Sequence, residues 1–152
     1  MLSAAFLTGL LLVPGAAQVP APPPAAAAAV AAEITKGVTA YNAQDLKYYE
    51  VALAPDIVYI ADDGMTFTGK ESVVGLFGRL FAATPHRQMT VSDLITSSHA
   101  DVAWARFKWT ITRGETSRKG ICSILFTRAG ETWQAVQIQN TPDGHGTPEA
   151  HH

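Results

Sequence analysis

RQMTVSDLITSSHADVAWARFKWTITRGETSRKGICSILFTRAGETWQAVQIQNT, residues 87–141, is the stretch on which the fold turns. It divides into four long runs rich in β-branched and aromatic residues, approximately 87–98, 101–113, 117–128 and 131–141. The joints Ala100-Asp101, Gly114-Glu115 and Ala129-Gly130 are too short for a parallel crossover, so neighbouring runs must pair antiparallel as a four-strand meander. In the second run Ala103, Ala105, Phe107, Trp109 and Ile111 share one face, which belongs to the interior. Val102, Trp104, Arg106 and Lys108 share the other, which is either solvated or half-covered by another subunit.

Upstream of the meander the period changes from 2 to 3.6. From Ala25 an alanine run favours helix, and Val30, Ile34, Val38 and Tyr41 recur at intervals of three and four, so a helix is expected to end near Asn42. Asp45 is the expected N-cap of a short second helix carrying Leu46, Tyr49 and Leu53 and stopping before Pro55. Ile57–Ala61 and Met65–Thr68 flank Asp63-Gly64 and read as a small hairpin. Thr68 and Glu71 have the spacing of a capping box, after which Val73, Val74, Phe77, Leu80 and Phe81 mark the buried face of a third helix. Long strands twist and coil, so the expected fold is α+β. A strongly curved antiparallel sheet packs on three N-terminal helices as a cone-shaped roll enclosing a pocket.

Residues 1–17 read as a secretory signal: Leu2 to Val13 is almost free of polar atoms, and Pro14-Gly15-Ala16-Ala17 supplies a small-residue cleavage site. The run falls short of the 18 or so apolar residues of a membrane span, so no span is expected in the mature chain. No Lys or Arg precedes it, which leaves an uncleaved anchor or a misplaced start as alternatives. Residues 18–29 form a Pro/Ala-rich linker, 30–141 the domain, and 142–152 a disordered tail holding His145, His151 and His152. The expected location is outside the cytoplasm, periplasmic or secreted.

At 152 residues one core is expected, and 47% apolar against 16% charged residues describes an ordered globular body. A net charge of -2 with both signs interspersed lacks the basic footprint of a nucleic-acid or anionic-lipid binder. Cys122 is the only cysteine, so neither an intramolecular disulfide nor a thiolate metal cluster can form. Its strand-like flanks mark it as a small buried hydrophobe. No phosphate-cradling glycine motif, nucleophile elbow or metalloprotease helix is present, so no cofactor or metal is expected.

The run Ala40-Tyr41-Asn42-Ala43-Gln44-Asp45-Leu46, then Ala54-Pro55-Asp56-Ile57-Val58-Tyr59, the Gly64 turn, Thr68-Gly69-Lys70-Glu71 and Gly130-Glu131-Thr132-Trp133-Gln134-Ala135-Val136 together resemble the nuclear-transport-factor-2-like (NTF2-like) superfamily. The likeness is to its bacterial SnoaL-like and ketosteroid-isomerase-like branches, and it covers residues 30–141. It implies a conical roll with a deep pocket, commonly a homodimer through the outer face of the sheet. The superfamily holds isomerases, dehydratases, polyketide cyclases and many members without known catalysis, so fold does not settle function. Laid on this chain, the isomerase's tyrosine, base and second acid fall at about Gly37, Ala61 and Cys122 or Ser123, where none of those groups exists.

The candidate general base is Asp62, one residue from Ala61; the competing reading has it stabilise the turn beside Asp63. Tyr41, Tyr59, Phe77, Phe107, Trp109 and Phe126 are the candidate aromatic lining for a flat, largely apolar ligand, with plain core packing as the alternative for most. In the last strand Trp133, Ala135, Gln137 and Gln139 share one parity, so Gln137 and Gln139 are candidate ligand-binding groups; alternatively they satisfy backbone groups. The resemblance implies a histidine near Gln139 in many relatives, and glutamine cannot exchange a proton near neutral pH. The leading reading is an exported protein whose pocket binds a small hydrophobic or mixed-polarity organic molecule without catalysis. The alternatives are a cofactor-free isomerase, dehydratase or cyclase with Asp62 as base and Tyr41 or Tyr59 as donor, or an interaction module using the Trp104 face.

Overall fold

Alanine and a spaced row of larger apolar residues build the first element of the computed structural model, which describes residues 25–144. Helix α1 (Ala25–Asn42) buries Val30, Ile34 and Tyr41 on one stripe. It starts inside the segment expected to be linker, so residues 25–29 are helix; the expected signal and the three tail histidines lie outside the described residues. Asp45 caps α2 (Leu46–Ala52) as expected, its Oδ1 accepting from the Lys47 amide at 3.1 Å. The chain then extends directly into β1 (Leu53–Ile60), which turns at Gly64 into β2 (Thr66–Thr68).

Helix α3 (Lys70–Ala82) begins without the expected capping box. Gly69 occupies the N-cap position with a φ of 84°, and no side chain caps the helix. Thr68 is held instead in β2 by pairing with Val58, so its hydroxyl is not positioned over the first turn. Four long strands follow: β3 (Arg87–His99), β4 (Val102–Arg113), β5 (Thr116–Ala129) and β6 (Thr132–Pro142).

The six strands form one curved sheet in the order β2-β1-β6-β5-β4-β3. The meander β3 to β6 is antiparallel throughout, as its short turns require. One pair departs from the expected all-antiparallel sheet: β1 lies parallel to β6, with Tyr59 opposite Ile138. Everything from β2 to β5 serves as the crossover between them, so a parallel pair forms although no single joint is long enough to allow one. Helix α1 packs on β3 and β4, α2 on β6 and α3 on β1, which covers one face of the sheet. A side-chain clamp fixes α1: Asn42 Oδ1 accepts from the Met89 amide and Asn42 Nδ2 donates to the Met89 carbonyl at 2.9 Å, tying the helix end to edge strand β3.

Three register shifts interrupt the sheet, one of them in β1 between Leu53 and Val58 where it pairs with β6. Asp93, with a φ of 53°, lies where β3 slips against β4, between Ser92 and Ile95. In β6 the partners of Leu125 and Phe126 are Gln137 and Ala135, so Val136 is an extra residue with no opposite number. Such a bulge reverses the facing of every residue beyond it. No helix among the described residues is long and apolar enough to cross a membrane.

Candidate functional site

The inward residues of neighbouring strands stand in rows that the pairing fixes. One row runs Tyr59, Ile138, Ile124, Ala105; the next joins Asn140, Cys122 and Phe107; then come Gly120, Trp109 and Val91, and beyond them Arg118, Ile111 and Met89. Between these rows and the helices is a cavity of about 300 Å³, at the lower end of the size range of small-molecule sites.

Six predicted lining residues are brought together there: Tyr41, Tyr59, Phe77, Phe107, Trp109 and Phe126 all border the cavity. Phe77 organises the helical side. It stacks on Tyr49 with centroids 4.3 Å apart and meets Tyr59 edge-on at 5.7 Å, while Tyr41 meets Phe81 edge-on at 5.4 Å. Edge-to-face and offset contacts suit the ring quadrupoles, so the rings hold each other's orientation.

Gln137 and Gln139 are a correction. Both are exposed and neither borders the cavity, whereas Ile138 is buried and Asn140 lines it. The expectation assumed unbroken alternation from Trp133; the bulge at Val136 keeps Trp133 and Ala135 inward and turns the parity over after them. Asn140 is thus a wall residue that alternation concealed, its Nδ2 donating to the Ile60 carbonyl at 3.3 Å. Arg87, which also lines the cavity, shares the parity of Met89 at the start of β3, and that spacing was the available signal for it.

The two aspartates of the hairpin divide their work. Asp63 serves the turn, its Oδ1 accepting from the Met65 amide at 2.9 Å. Asp62 lines the cavity and pairs with Arg118 of β5, whose Nη2 lies 2.8 Å from Asp62 Oδ2. Of the positions on which the isomerase groups fall, Gly37, Ala61 and Cys122 also border the cavity, without any group able to shuttle a proton near neutral pH, while Ser123, the alternative to Cys122, is exposed. The Tyr48 ring stands 3.6 Å from where a Cβ on Gly37 would lie, so part of the space a side chain there would take is filled by α2. Burial pushes the Cys122 thiol up to about 12, which removes it as a nucleophile. Among the described residues no three His, Cys, Asp or Glu side chains gather as metal ligands do.

All four tyrosines are shifted upward. Burial is the main cause in each; at Tyr41 the Arg87 guanidinium opposes it and Asp62 reinforces it, and at Tyr48 the Glu33 carboxylate adds to it. A raised folded-state value for a neutral acid favours the folded protein below the unfolded value of about 10, and that contribution is lost as pH rises beyond it. Native protein titrated with base is therefore expected to show most of its phenolate absorbance only as the fold melts, Tyr48, Tyr49 and Tyr59 being the strongly shifted groups. A full four-tyrosine step near pH 10 with the circular dichroism unchanged would contradict the buried arrangement.

The SnoaL-like domain model matches residues 30–141. An NTF2-like family protein from Streptomyces avermitilis, whose name proposes a dehydratase activity, superposes with a TM-score of 0.72 at 15% identity over 78% of this chain and 96% of that one. An NTF2-like protein of unknown function from Pseudomonas putida KT2440 gives 0.71 at 19% identity over 77% and 86%. A protein with a cystatin-like fold from Caulobacter vibrioides gives 0.70 at 15% identity over 78% and 89%. No curated protein matches the chain. At these identities the superpositions establish the fold alone, an NTF2-like one, and the domain match adds the family: the chain belongs to the SnoaL-like family.

Proposed function

We propose that this is an exported pocket protein that binds a small hydrophobic or mixed-polarity organic molecule without transforming it. One observation carries the reading: a cavity bounded by aromatic rings from both the helices and the sheet, whose wall has Gly37, Ala61 and Cys122 where an acid-base site of the isomerase type needs proton carriers. An apolar enclosure with few polar groups favours a flat apolar body and orients it by those groups.

Asp62 supports a second reading, a cofactor-free isomerase, dehydratase or cyclase, because its carboxylate borders the same cavity as Tyr41 and Tyr59. Against it, Arg118 engages one carboxylate oxygen, and a base that must take a proton works best when free. The proposal extends to a homodimer through the outer sheet face. Trp104 and Leu125 are paired across β4 and β5 there and both exposed, with Val102 and Ile121 on the same face.

Thermal melts with a panel of flat aromatic compounds test the binding reading. A ligand at 100 times its dissociation constant adds about 2.7 kcal/mol, roughly 10 °C for a domain of this size. Ala135→Leu, which fills part of the cavity, is expected to abolish the shift. Bound compounds recovered unchanged mark a binder; conversion that disappears in Asp62→Asn would establish the enzyme instead, and a panel without any shift would contradict both readings. Native mass spectrometry of the protein recovered from the periplasm or medium tests export and assembly together. A dimer of chains shortened by residues 1–17 is the expected species, and a full-length monomer retained in the cell would contradict it.

A further inference from the structure

Two donors in the cavity wall have no acceptor among the described residues: Arg87 Nε and Trp109 Nε1, each screened from solvent. Trp109 is 3% exposed. Its ring is held against β5 at Gly120, where any side chain would collide with the indole and with the Thr141 carbonyl. A glycine inside a strand marks this kind of close approach. The indole therefore cannot swing toward β5 to find an acceptor without displacing backbone, and an indole N–H can only donate.

Both donors occupy the inward face at one end of the sheet. Val91 lies opposite Trp109, Met89 opposite Ile111 and Arg87 opposite Arg113, so the two residues are separated by one inward position along β3. The Asn42–Met89 clamp holds α1 at this point, with Tyr41 beside the Arg87 guanidinium. The carboxylates of the wall are already engaged. Asp62 pairs with Arg118, Glu33 with Lys36 at 2.6 Å, and Asp63 accepts the Met65 amide in its exposed turn. Arg87 forms no ion pair among the described residues, and the second cation facing it across the strands, Arg113, binds the carbonyls of Thr84 and Pro85. The pole around Arg87 thus presents donors and positive charge, while the walls next to it, Phe107, Ile111 and Met89, are apolar.

We infer that the cavity takes a small aromatic carboxylate, its ring against Phe107, Ile111 and Met89 and its carboxylate oxygens accepting from Arg87 Nε and Trp109 Nε1. This rests on the ligand-binding reading above and narrows it to a substrate class. A neutral apolar guest would leave both donors unsatisfied, whereas a carboxylate receives a charge-assisted bond from the guanidinium and a second from the indole. A cationic guest would be repelled by Arg87.

The test uses two probes of equal shape, 2-naphthoate and 2-methylnaphthalene, titrated at neutral pH into the wild-type protein and into Arg87→Met and Trp109→Phe, each variant checked for native circular dichroism. Wild type is expected to bind the carboxylate roughly 10- to 100-fold more tightly, the equivalent of one or two charge-assisted bonds. Arg87→Met should remove most of that preference and leave 2-methylnaphthalene within about threefold of its wild-type affinity, as for a change that spares the apolar contacts. Trp109→Phe should reduce the preference in part, and it decides the matter should Arg87→Met not fold. If both probes bind wild type equally, or the preference persists in both variants, the carboxylate inference is overturned and the pocket stands. If neither probe binds, the pocket reading falls and the inference with it.

Discussion

The single unpaired residue at Val136 sets the chemistry of the cavity, because β6 lies between β5 and β1 and dictates the facing of both. Before the bulge Trp133 and Ala135 point inward; after it Ile138 and Asn140 do. Continuous alternation would place two glutamine amides in the interior and expose an isoleucine, at a cost of several kcal/mol for buried amides without partners. With the bulge, the row Tyr59, Ile138, Ile124, Ala105 is apolar from β1 to β4. The parallel strand β1 accommodates the extra residue through its own irregular register between Leu53 and Val58.

The two sides of the cavity then differ in how their polar groups are satisfied. On the helical side the phenols of Tyr48 and Tyr49 donate to the carbonyls of Glu33 and Gly37, at 3.0 and 2.9 Å, so these rings behave as packing elements with their polar ends already occupied. On the sheet side Asn140 is bonded to backbone, whereas Arg87 Nε and Trp109 Nε1 have no acceptor among the described residues. Rigid aromatic walls and a localised donor pole make a site that orients a guest. Proton transfer asks for something else, a titratable group placed at the reacting atom, and the positions suited to it carry Gly37, Ala61 and Cys122.

Much of this was legible in the chain because local rules and tertiary packing agree over most of it. The β4 alternation, the α1 stripe ending at Asn42, the Asp45 cap and the Asp63-Gly64 turn all depend on near neighbours, and the structure has each of them. What alternation could not supply was the bulge, since Val136 differs in no local respect from a regular strand residue and is made extra by its partners in β5. The same holds for Gly69, whose positive φ displaced the Thr68–Glu71 box once β2 had claimed Thr68. Arg87 and Asn140 escaped notice because an arginine at a strand start and an asparagine near a strand end both read as surface residues. The β3 register and the clamp at Met89 bring Arg87 to the cavity wall, and the bulge in β6 brings Asn140 there.

The facing of β6 can be measured directly by placing single cysteines at positions 137, 138, 139 and 140 and following their reaction with a thiol reagent in the native protein, the native Cys122 being buried and inert. In protein diluted until any dimer through the outer sheet face, where Gln137 lies opposite Leu125, has dissociated, cysteines at 137 and 139 are expected to react much faster than those at 138 and 140, which stay protected until the protein unfolds. Protection at 137 and 139 with rapid reaction at 138 and 140 would show that the strand runs without its bulge, and the cavity described here would not exist.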